Sequence, residues 1–299
     1  MKITSLGSLA LLLTCCTALP AQTQRPAITG IAFVRVYVTN LDAAAKFYDG
    51  DLGFARTPIS GKDVYSVNDS QWFEVVPQQN IELTSRLAAV AFTTRNEKVL
   101  EAYMRAHGQI ILPQPEPDSF GVKDPEGNLI LFVQQGRKHP GAATQAPRAT
   151  AHRIIHAGFV VHDAAVEDRF YLDLLGFHPQ WHGGRTDTTT DYRSVQVPDG
   201  SDWLEYMLNV VPNADAHIRG SANHFSLGVA NIETVITGLS ANHCTDANCR
   251  KAQLGKNGKM QLNVFDPDLT RVEYMEFKPI ATPCCSPTLG KEPREQEDQ

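Results

Sequence analysis

The sequence lacks an excess of positive charge, since its 299 residues include 27 Lys and Arg against 33 Asp and Glu, a formal net charge of −6. A chain with this charge has no electrostatic reason to bind nucleic acid or an anionic membrane surface. It also lacks an apolar run of about 20 residues, the length that a membrane-spanning helix requires. With 42% apolar residues it can still build the cores of roughly two soluble domains. Small molecules are therefore the expected partners.

One apolar stretch, LGSLALLLTCCTALPA, follows Lys2 and ends in small residues. Because it is too short to span a bilayer, it is typical of a secretory signal peptide, which we place at residues 1–21. A lipoprotein signal fits less well, because Thr14 is an unusual residue just before the cysteine that would be acylated. The sequence therefore predicts a secreted or periplasmic protein.

Cysteine is also scarce, with six in the chain, and two of these leave with the signal peptide. In an oxidising compartment the remaining four favour disulfides. CTDANC is short enough for Cys244 and Cys249 to close a loop, while Cys284 and Cys285 in TPCCSP could reach back to that loop instead. The spacing is not that of two CxxC knuckles, so disulfides are favoured over a zinc site and the pairing stays open.

Two long segments repeat without a gap at an offset of 123 residues: VYVTNLDAAAKFYDGDLGF (36–54) and FVVHDAAVEDRFYLDLLGF (159–177). Each has an apolar strand, a polar turn, an FY pair and a closing LGF. Asn40 and Asp163 can cap the helix that begins there, and Gly53 and Gly176 can end it in the left-handed conformation. The repeat predicts two homologous domains.

The domain boundaries follow from composition. The N-terminal domain covers residues 28–136 and the C-terminal domain residues 153–279. Residues 137–152 between them have the Pro, Ala and Gly content of a linker. Residues 280–299 are polar and rich in Pro, so we expect a disordered tail.

Each domain also repeats within itself. After the first helix come short strand-like runs such as DVYSVND and QWFEVVP, and then a fresh strand and helix begin, at residues 87–108 and 223–243. Each domain ends in a hairpin that contains Asp-Pro. The predicted plan is βαβββ twice per domain, an α+β fold in which paired modules form a curved mixed sheet around a cleft. Such a cleft is a natural site for a small ligand.

These features resemble the vicinal oxygen chelate superfamily, which includes glyoxalase I, bleomycin and fosfomycin resistance proteins, methylmalonyl-CoA epimerase and the extradiol dioxygenases. The resemblance rests on the strand-helix run that ends FY…LGF and on the Asp-Pro turn before the last strand. It covers nearly the whole chain after the signal peptide. It implies one divalent metal ion in the cleft, bound by residues from the first and fourth strands of each βαβββ module.

The C-terminal domain has a metal-ligating residue at each of these positions: His156, Glu205, His224 and Glu273. His156 and Glu205 are 49 residues apart, as are His224 and Glu273, so related modules would bring both pairs to one point. A single His in an apolar strand is more often a core residue, and a single Glu in a strand usually faces water. Four such residues at symmetry-related places indicate instead a site for one divalent ion: Zn, Ni, Co, Mn or Fe.

The N-terminal domain lacks this set of residues. Alignment of the repeats places Phe33 and Ala89 where the two histidines stand, and Leu131 where the last glutamate stands. Only Glu74 is kept, so this domain is predicted to be degenerate and metal-free. Because Glu74 is retained without a metal, its counterpart Glu205 is the least secure of the four expected ligands.

With four ligands the site is similar to glyoxalase I and its epimerase relatives, which implies an isomerase, epimerase or lyase acting on a small oxygenated substrate. The metal would polarise an enolisable oxygen chelate, and Glu273 or Glu205 would act as general base. If Glu205 is not a ligand, the remaining 2-His-1-carboxylate triad suits Fe(II) and oxygen, as in an extradiol ring-cleavage dioxygenase. A non-catalytic, resistance-type binding protein is the third alternative, but such a protein needs no set of four ligands.

Each enzymatic interpretation meets a difficulty. The extradiol signature has a His and then a Tyr shortly before the Asp-Pro turn, whereas GKMQLNVFDPDL has neither and places Asn263 where the Tyr is expected. The thiol cofactor of glyoxalase is cytosolic, whereas this chain is predicted to be exported. On the middle strands, either a substrate contact or a surface position is expected for Trp181, His182, Tyr192 and Arg193. The sequence leaves open whether one chain or a homodimer completes the cleft.

Overall fold

The computed structural model describes residues 24–79, 86–114, 117–137 and 146–295. The predicted signal peptide, residues 1–21, lies outside these ranges. No helix within them is both long and apolar enough to cross a lipid bilayer.

The N-terminal domain forms one mixed sheet of eight strands in the spatial order β2-β3-β4-β1-β5-β8-β7-β6. The strands are β1 Ile28–Val38, β2 Arg56–Ile59, β3 Lys62–Ser66, β4 Trp72–Pro77, β5 Leu87–Thr94, β6 Leu112–Pro113, β7 Ser119–Lys123 and β8 Leu129–Gln134. Its helices are α1 Leu41–Ala45, which continues as a π-helix over Lys46–Asp51, and α2 Glu97–Ala106.

The C-terminal domain repeats this arrangement in a second eight-stranded sheet, with the order β10-β11-β12-β9-β13-β16-β15-β14. The strands are β9 Ile154–Val160, β10 His178–Gly183, β11 Tyr192–Gln196, β12 Trp203–Met207, β13 His224–Val229, β14 Ala252–Leu254, β15 Met260–Phe265 and β16 Arg271–Glu276. The helices are α3 Ala164–Asp168, continuing as a π-helix over Arg169–Leu174, α4 Ala216–Ala222, α5 Ile232–Ala241 and a 3₁₀ turn over Ala247–Arg250.

The two sheets confirm the α+β fold with paired βαβββ modules. The first strands of the two modules, β1 and β5 or β9 and β13, pair antiparallel at the centre of each sheet. The fourth strand of each module runs parallel beside the first. The expected helix boundaries are also present: Asn40 and Asp163 accept backbone N–H groups at the starts of α1 and α3. Beyond the helices, Gly53 and Gly176 have φ of +80° and +74°.

Alternation along the strands divides each sheet into two faces. In β16, Tyr274 enters a large apolar core to which both domains contribute, with Phe73 and Phe225 from the two domains in ring contact. Arg271 and Glu273 lie on the opposite face, which lines a cleft and which we call the cleft face. Burial of the shared core holds the two sheets together, and the cleft faces lie outside this core.

The two Asp-Pro turns reach across the domain boundary. Asp124, between β7 and β8, accepts a hydrogen bond from the hydroxyl of Tyr171 in the C-terminal domain, with 3.0 Å between the oxygens. Asp266, between β15 and β16, accepts the matching bond from Tyr48 in the N-terminal domain, also at 3.0 Å. Both tyrosines belong to the repeated FY pairs. The FY pair of each domain therefore joins it to the Asp-Pro turn of the other.

Residues 280–295, which we expected to belong to a disordered tail, are packed on the C-terminal sheet instead. The backbone N–H of Leu289 donates to the carbonyl oxygen of Gln180 at 2.7 Å. Lys291 exchanges two hydrogen bonds with the side chain of Gln196, at 2.7 and 2.9 Å. Hydrogen bonds to backbone groups of this segment hold it against β10 and β11, while its Ile280 and Leu289 side chains stay exposed, so its composition did not indicate the packing.

The four cysteines form two disulfides, Cys244–Cys249 and Cys284–Cys285. The first closes the CTDANC loop, as the spacing suggested. The second joins adjacent residues and does not reach back to that loop. All four of these cysteines are therefore paired with one another.

Three buried carboxyl groups lie near the domain boundary. Burial raises the pKa of Asp124 to about 6 and the pKa of Asp266 to about 7. Burial, reinforced by the charge of Asp124, raises the pKa of Glu167 on α3 to about 8. Oε1 of Glu167 accepts the backbone N–H of Glu126 at 2.8 Å, but its buried Oε2 has no hydrogen-bond partner among the described residues. All three groups bind their protons more tightly in the folded protein than in the unfolded chain.

The stability of the protein should therefore fall as the pH rises. In the unfolded chain these carboxyl groups lose their protons near pH 4, whereas in the folded protein they keep them until about pH 6 to 8. The contribution of these groups to the free energy of unfolding is therefore largest below about pH 4 and declines between about pH 4 and pH 8. We predict that Glu167→Gln raises the free energy of unfolding at about pH 8.5 by roughly 1–2 kcal/mol and flattens its pH dependence. Urea denaturation between about pH 5 and pH 9 measures both effects.

Asp173→Asn is the matched control, because Asp173 is exposed on the same helical segment. It should leave the pH dependence of stability unchanged. A Glu167→Gln protein with the wild-type pH dependence would show that this carboxyl group does not titrate as described.

Candidate metal centre

The four expected ligand residues lie on adjacent strands at the centre of the C-terminal sheet. Strand β9 lies between β12 and β13, and its Gly158 is opposite both Glu205 on β12 and His224 on β13. His156 on β9 and Glu273 on β16 are opposite the same residue of β13. Because alternate residues of a strand share a face, this register places all four side chains in one small area of the cleft face.

Three of these side chains converge. The ligating atoms of His156, His224 and Glu273 all lie within 4.8 Å of one another, and none of these residues is more than 2% exposed. Nε2 of His156 is 3.1 Å from Nε2 of His224 and 3.0 Å from Oε2 of Glu273. Two metal–nitrogen bonds of about 2.1 Å at a right angle place their nitrogens about 3 Å apart. The observed spacing therefore fits the ligands of a single ion.

Neighbouring groups orient both imidazoles. Nδ1 of His224 is 3.3 Å from the backbone oxygen of Ala222, a contact that favours a proton on Nδ1 and directs the lone pair of Nε2 into the cluster. The ring of His156 stacks on the indole of Trp203, with 4.7 Å between the ring centroids. Oε2 of Glu273 is buried and has no well-aligned hydrogen-bond donor among the described residues. A divalent ion satisfies this combination of an unpaired carboxylate oxygen and two directed imidazole nitrogens.

Glu205 lies beside this group of three. Its Oε2 is 3.3 Å from Nε2 of His224, and at 9% exposure it is the most accessible of the four residues. It is not part of the group whose ligating atoms all lie within 4.8 Å. This position suits either a fourth ligand or a base that faces the cleft.

The electrostatics of the cluster favour metal-binding protonation states. Burial, followed by the positive charge of Arg271, lowers the pKa of His224 well below its ordinary value. Burial by itself would raise the pKa of Glu273, but the charge of Arg271 and the contact with His156 outweigh it and leave that pKa lowered. A neutral imidazole and an ionised carboxylate are the forms that ligate metal.

Arg271 is the main site residue that the sequence interpretation missed. Its Nη2 is 2.8 Å from Nε2 of His224, and its Nη1 is 3.8 Å from Oε1 of Glu273. Asn263, which stands where the extradiol signature has Tyr, accepts a hydrogen bond from Nη1 at 3.4 Å. Arg271 precedes Glu273 by two residues on β16, so strand alternation alone would have placed it on the same face.

A cleft of about 330 Å³ leads to these groups. Trp181 and Tyr192 line it, at positions where they could contact a substrate. His182 is exposed to solvent, and Arg193 pairs with Asp168 at 2.7 Å. Each of these last two residues directly follows a cleft residue, so alternation turns it away from the cleft.

The equivalent positions in the N-terminal sheet are apolar. Phe33, Ala89 and Leu131, which align with the two histidines and the last glutamate, lie together in one apolar cluster. Phe33 stacks on Trp72 with 4.7 Å between centroids, just as the histidine of β9 stacks on the tryptophan of β12. Within the described ranges, no group of metal-ligating side chains lies in this cluster.

Glu74, the one carboxylate kept in the N-terminal domain, is neutralised by cations of the chain itself. It is 1% exposed, with Nε of Arg35 at 2.6 Å and Nζ of Lys62 at 2.8 Å from its carboxylate oxygens. Arg35 is opposite Glu74 in the strand register, at the place that Gly158 takes opposite Glu205. The retention of Glu74 without a metal therefore has a structural explanation and does not weaken the case for Glu205.

The sequence of the C-terminal domain matches a known family. Residues 153–274 match a sequence model described as Glyoxalase/Bleomycin resistance protein/Dioxygenase superfamily. The C-terminal domain belongs to this superfamily. A search of curated protein sequences gave no match.

Solved structures show that the likeness of fold extends over both domains. Homoprotocatechuate 2,3-dioxygenase from Arthrobacter globiformis has a TM-score of 0.64 and 19% identity, with 88% of this chain and 84% of that one covered. An extradiol ring-cleaving dioxygenase from B. fuscum has a TM-score of 0.62 and 19% identity, covering 85% and 73%. The 2,3-dioxygenase LapB from Pseudomonas sp. KL28 has a TM-score of 0.61 and 15% identity, covering 86% and 98%. At these identities the likeness is one of fold.

Gly158 provides the space for the ring of His224. A Cβ at this position would lie 2.1 Å from Cε1 of His224, a contact that real side chains do not make. We predict that Gly158→Ala displaces His224 and lowers the affinity for a divalent ion by about 10- to 100-fold, as the loss of support for a ligand typically does. Equilibrium titration of the metal-free protein with Co²⁺ measures this change.

Gly50→Ala is the matched control, because nothing lies within 4 Å of a Cβ built at Gly50. It should bind Co²⁺ as the wild type does. If folded Gly158→Ala also bound Co²⁺ with wild-type affinity, His224 would not be held where the structure places it.

Proposed function

We propose that this protein is a metal-dependent enzyme that uses molecular oxygen to open the ring of a small catechol-like substrate in its C-terminal cleft. The observation that carries this proposal is the convergence of His156, His224 and Glu273 within 4.8 Å. Two imidazoles and one carboxylate are the donor set of non-haem Fe(II) oxygenases. When bound, Fe(II) supplies open coordination positions for an oxygen chelate and for oxygen.

The fold gives further support. Three ring-cleaving or 2,3-dioxygenases of known structure share the tandem architecture over most of both chains. Among the described residues the ligand group lies in the C-terminal domain, and Phe33, Ala89 and Leu131 occupy three of the four equivalent positions in the N-terminal domain. This is the division of roles that the resemblance to extradiol dioxygenases implies.

The side chains of the cleft suit a one-ring aromatic diol. Trp181 and Tyr192 provide aromatic walls, and a volume of about 330 Å³ is at the small end for a ligand site. The carboxylate of Glu205 faces the cleft and accepts the proton that a substrate hydroxyl loses on binding. Arg271 adds a fixed positive charge but has no proton to donate, because its guanidinium stays protonated.

The proposed activity takes place outside the cytosol. The signal peptide predicted at residues 1–21 would direct export, and the two disulfides are typical of an oxidising compartment. A secreted or periplasmic location would bring the enzyme into contact with small aromatic compounds before they enter the cell.

Glu205 favours a second candidate function. Its carboxylate, 3.3 Å from Nε2 of His224, can complete a four-ligand site. In that arrangement a bound metal would polarise an enolisable oxygen chelate, and Glu205 or Glu273 would remove a proton from the acidic carbon beside it. Return of the proton to the same or a neighbouring carbon would make the protein an epimerase or isomerase, or a related lyase, that consumes no oxygen.

Metal content distinguishes the two ligand sets. We predict about one transition-metal ion per chain in the purified mature protein, measured by elemental analysis. His156→Ala should lose affinity by more than about 100-fold, since loss of a ligand exceeds the effect of losing its support. Glu205→Gln should retain the ion in the triad, whereas loss of the ion from this variant would favour the four-ligand isomerase.

Oxygen dependence distinguishes the two reactions. With Fe(II) added under argon and catechol as the test substrate, we predict that admitting oxygen consumes one O₂ per catechol. Both atoms of ¹⁸O₂ should enter the ring-opened product, because ring cleavage breaks one C–C bond and adds two oxygens. Turnover of 2-oxo compounds under argon would support the isomerase instead. A metal-loaded protein that turns over neither class would be a binding protein, against both proposals.

A further inference from the structure

Arg271 places a cation inside a site suited to a metal ion. Its Nη2 donates to Nε2 of His224 at 2.8 Å, and this nitrogen is also a candidate metal ligand. The same Nη2 is 4.0 Å from Oε2 of Glu205, and Nη1 is 3.8 Å from Oε1 of Glu273. The side chain is 14% exposed, and its buried Nε has no hydrogen-bond partner among the described residues. A permanent charge in contact with three candidate ligands affects whatever binds there.

The charges of the site change sign when an ion enters. With both imidazoles neutral, as metal ligands are, the carboxylates of Glu205 and Glu273 exceed the guanidinium of Arg271 by one negative charge. A divalent ion turns this into an excess of one positive charge. The side chains of Glu205 and Arg271 are only 12% and 14% exposed, so solvent compensates an excess charge poorly here.

Arg271 therefore opposes the ion until an anion joins them. Like charges a few ångströms apart in a buried site repel one another strongly. The ion also takes the lone pair of His224 to which Nη2 donates, so this N–H group must find another acceptor. An anionic oxygen bound at an open position of the ion would offset the excess positive charge and would accept the hydrogen bond from Nη2.

The N-terminal domain offers a comparison within the same chain. Leu129 is the first residue of β8, as Arg271 is of β16, and it packs against the apolar cluster there. The N-terminal sheet thus has neither the ligand group nor a cation at the position of Arg271. In the C-terminal sheet both are present on the same face.

We propose that Arg271 is the anion-binding residue of the site and that it makes metal binding and substrate binding cooperative. This inference rests on the proposed metal centre and narrows its substrates to oxygen chelates that bind with an ionised oxygen. That oxygen would interact with both the ion and the guanidinium. Neutral ligands gain no affinity from the charge of Arg271, so this residue favours anionic ligands over neutral ones.

Azide and imidazole test this proposal as an anionic and a neutral ligand of one metal. Co²⁺ is titrated into the metal-free mature protein, and each ligand is then titrated into the Co²⁺-loaded protein, followed by visible absorption. In Arg271→Gln we expect Co²⁺ alone to bind at least about 10-fold more tightly than in the wild type, because the repulsion is gone. Azide should bind at least about 10-fold more weakly to the loaded variant, and imidazole should bind no more weakly than to the wild type.

Two further variants complete the design. Lys256→Gln removes a positive charge at the cleft, where Lys256 pairs with Asp187 at 3.0 Å. This variant should bind Co²⁺, azide and imidazole with affinities close to those of the wild type. Arg271→Lys keeps the charge and should retain most of the azide affinity. A merely structural role of Arg271 does not predict opposite changes for Co²⁺ and azide.

The outcomes separate this inference from the function on which it rests. If Arg271→Gln binds Co²⁺ more weakly, or if its azide affinity equals that of the wild type, the role of Arg271 is disproved while the metal centre stands. If the wild type does not bind Co²⁺ at all, the proposed function fails at the first titration, before any anion is added, and this inference fails with it.

Discussion

A carboxylate buried on the cleft face must be compensated by positive charge, and the two domains meet this requirement differently. In the N-terminal sheet, Glu74 is paired with two cations of the chain within 2.8 Å. That pairing leaves nothing for an external ion to supply. In the C-terminal sheet, Glu205 and Glu273 outnumber the one guanidinium of Arg271, and the imidazoles beside them are suited to be neutral ligands. With neutral imidazoles these side chains lack one positive charge, which a bound cation would supply. The same physical requirement thus gives a closed face in one domain and a candidate cation site in the other.

Strand register shows how closely these two ways of compensating a buried glutamate are related. Arg35 and Gly158 occupy equivalent places, each opposite the buried glutamate of the neighbouring strand. At Gly158 the ring of His224 occupies the position of the missing side chain, since a Cβ would lie 2.1 Å from it. At the equivalent place Arg35 carries a side chain, which brings a positive charge to Glu74. A histidine ligand and an arginine at these two positions are sterically exclusive, so the presence of one type of compensation removes room for the other.

Most of the fold could be predicted because it depends on short-range periodicity, whereas the four candidate ligands follow from the strand positions that the resemblance to the vicinal oxygen chelate superfamily implies. Alternation and equal spacing map directly onto strand ladders, and the register confirms the alignment of Phe33 with His156. Arg271 was missed because the search was for metal ligands, and a cation beside them is electrostatically unexpected. The hydrogen bond between Tyr48 and Asp266 joins residues 218 positions apart, and no local pattern reveals it. The packing of residues 280–295 depends on backbone hydrogen bonds, which composition does not report.

The N-terminal domain still contributes to the site, through the turn that leads into β16. Oδ1 of Asp266 accepts the backbone N–H of Thr270 at 2.8 Å, which fixes the turn immediately before the strand that carries Arg271 and Glu273. Oδ2 of the same carboxyl group accepts the hydroxyl of Tyr48 from the other domain. One side chain of the N-terminal domain thus orients the start of the strand that supplies both a candidate ligand and the opposing cation. Since hydrogen bonds that hold a ligand's support affect metal affinity, Tyr48 would influence metal binding in the C-terminal cleft by positioning β16.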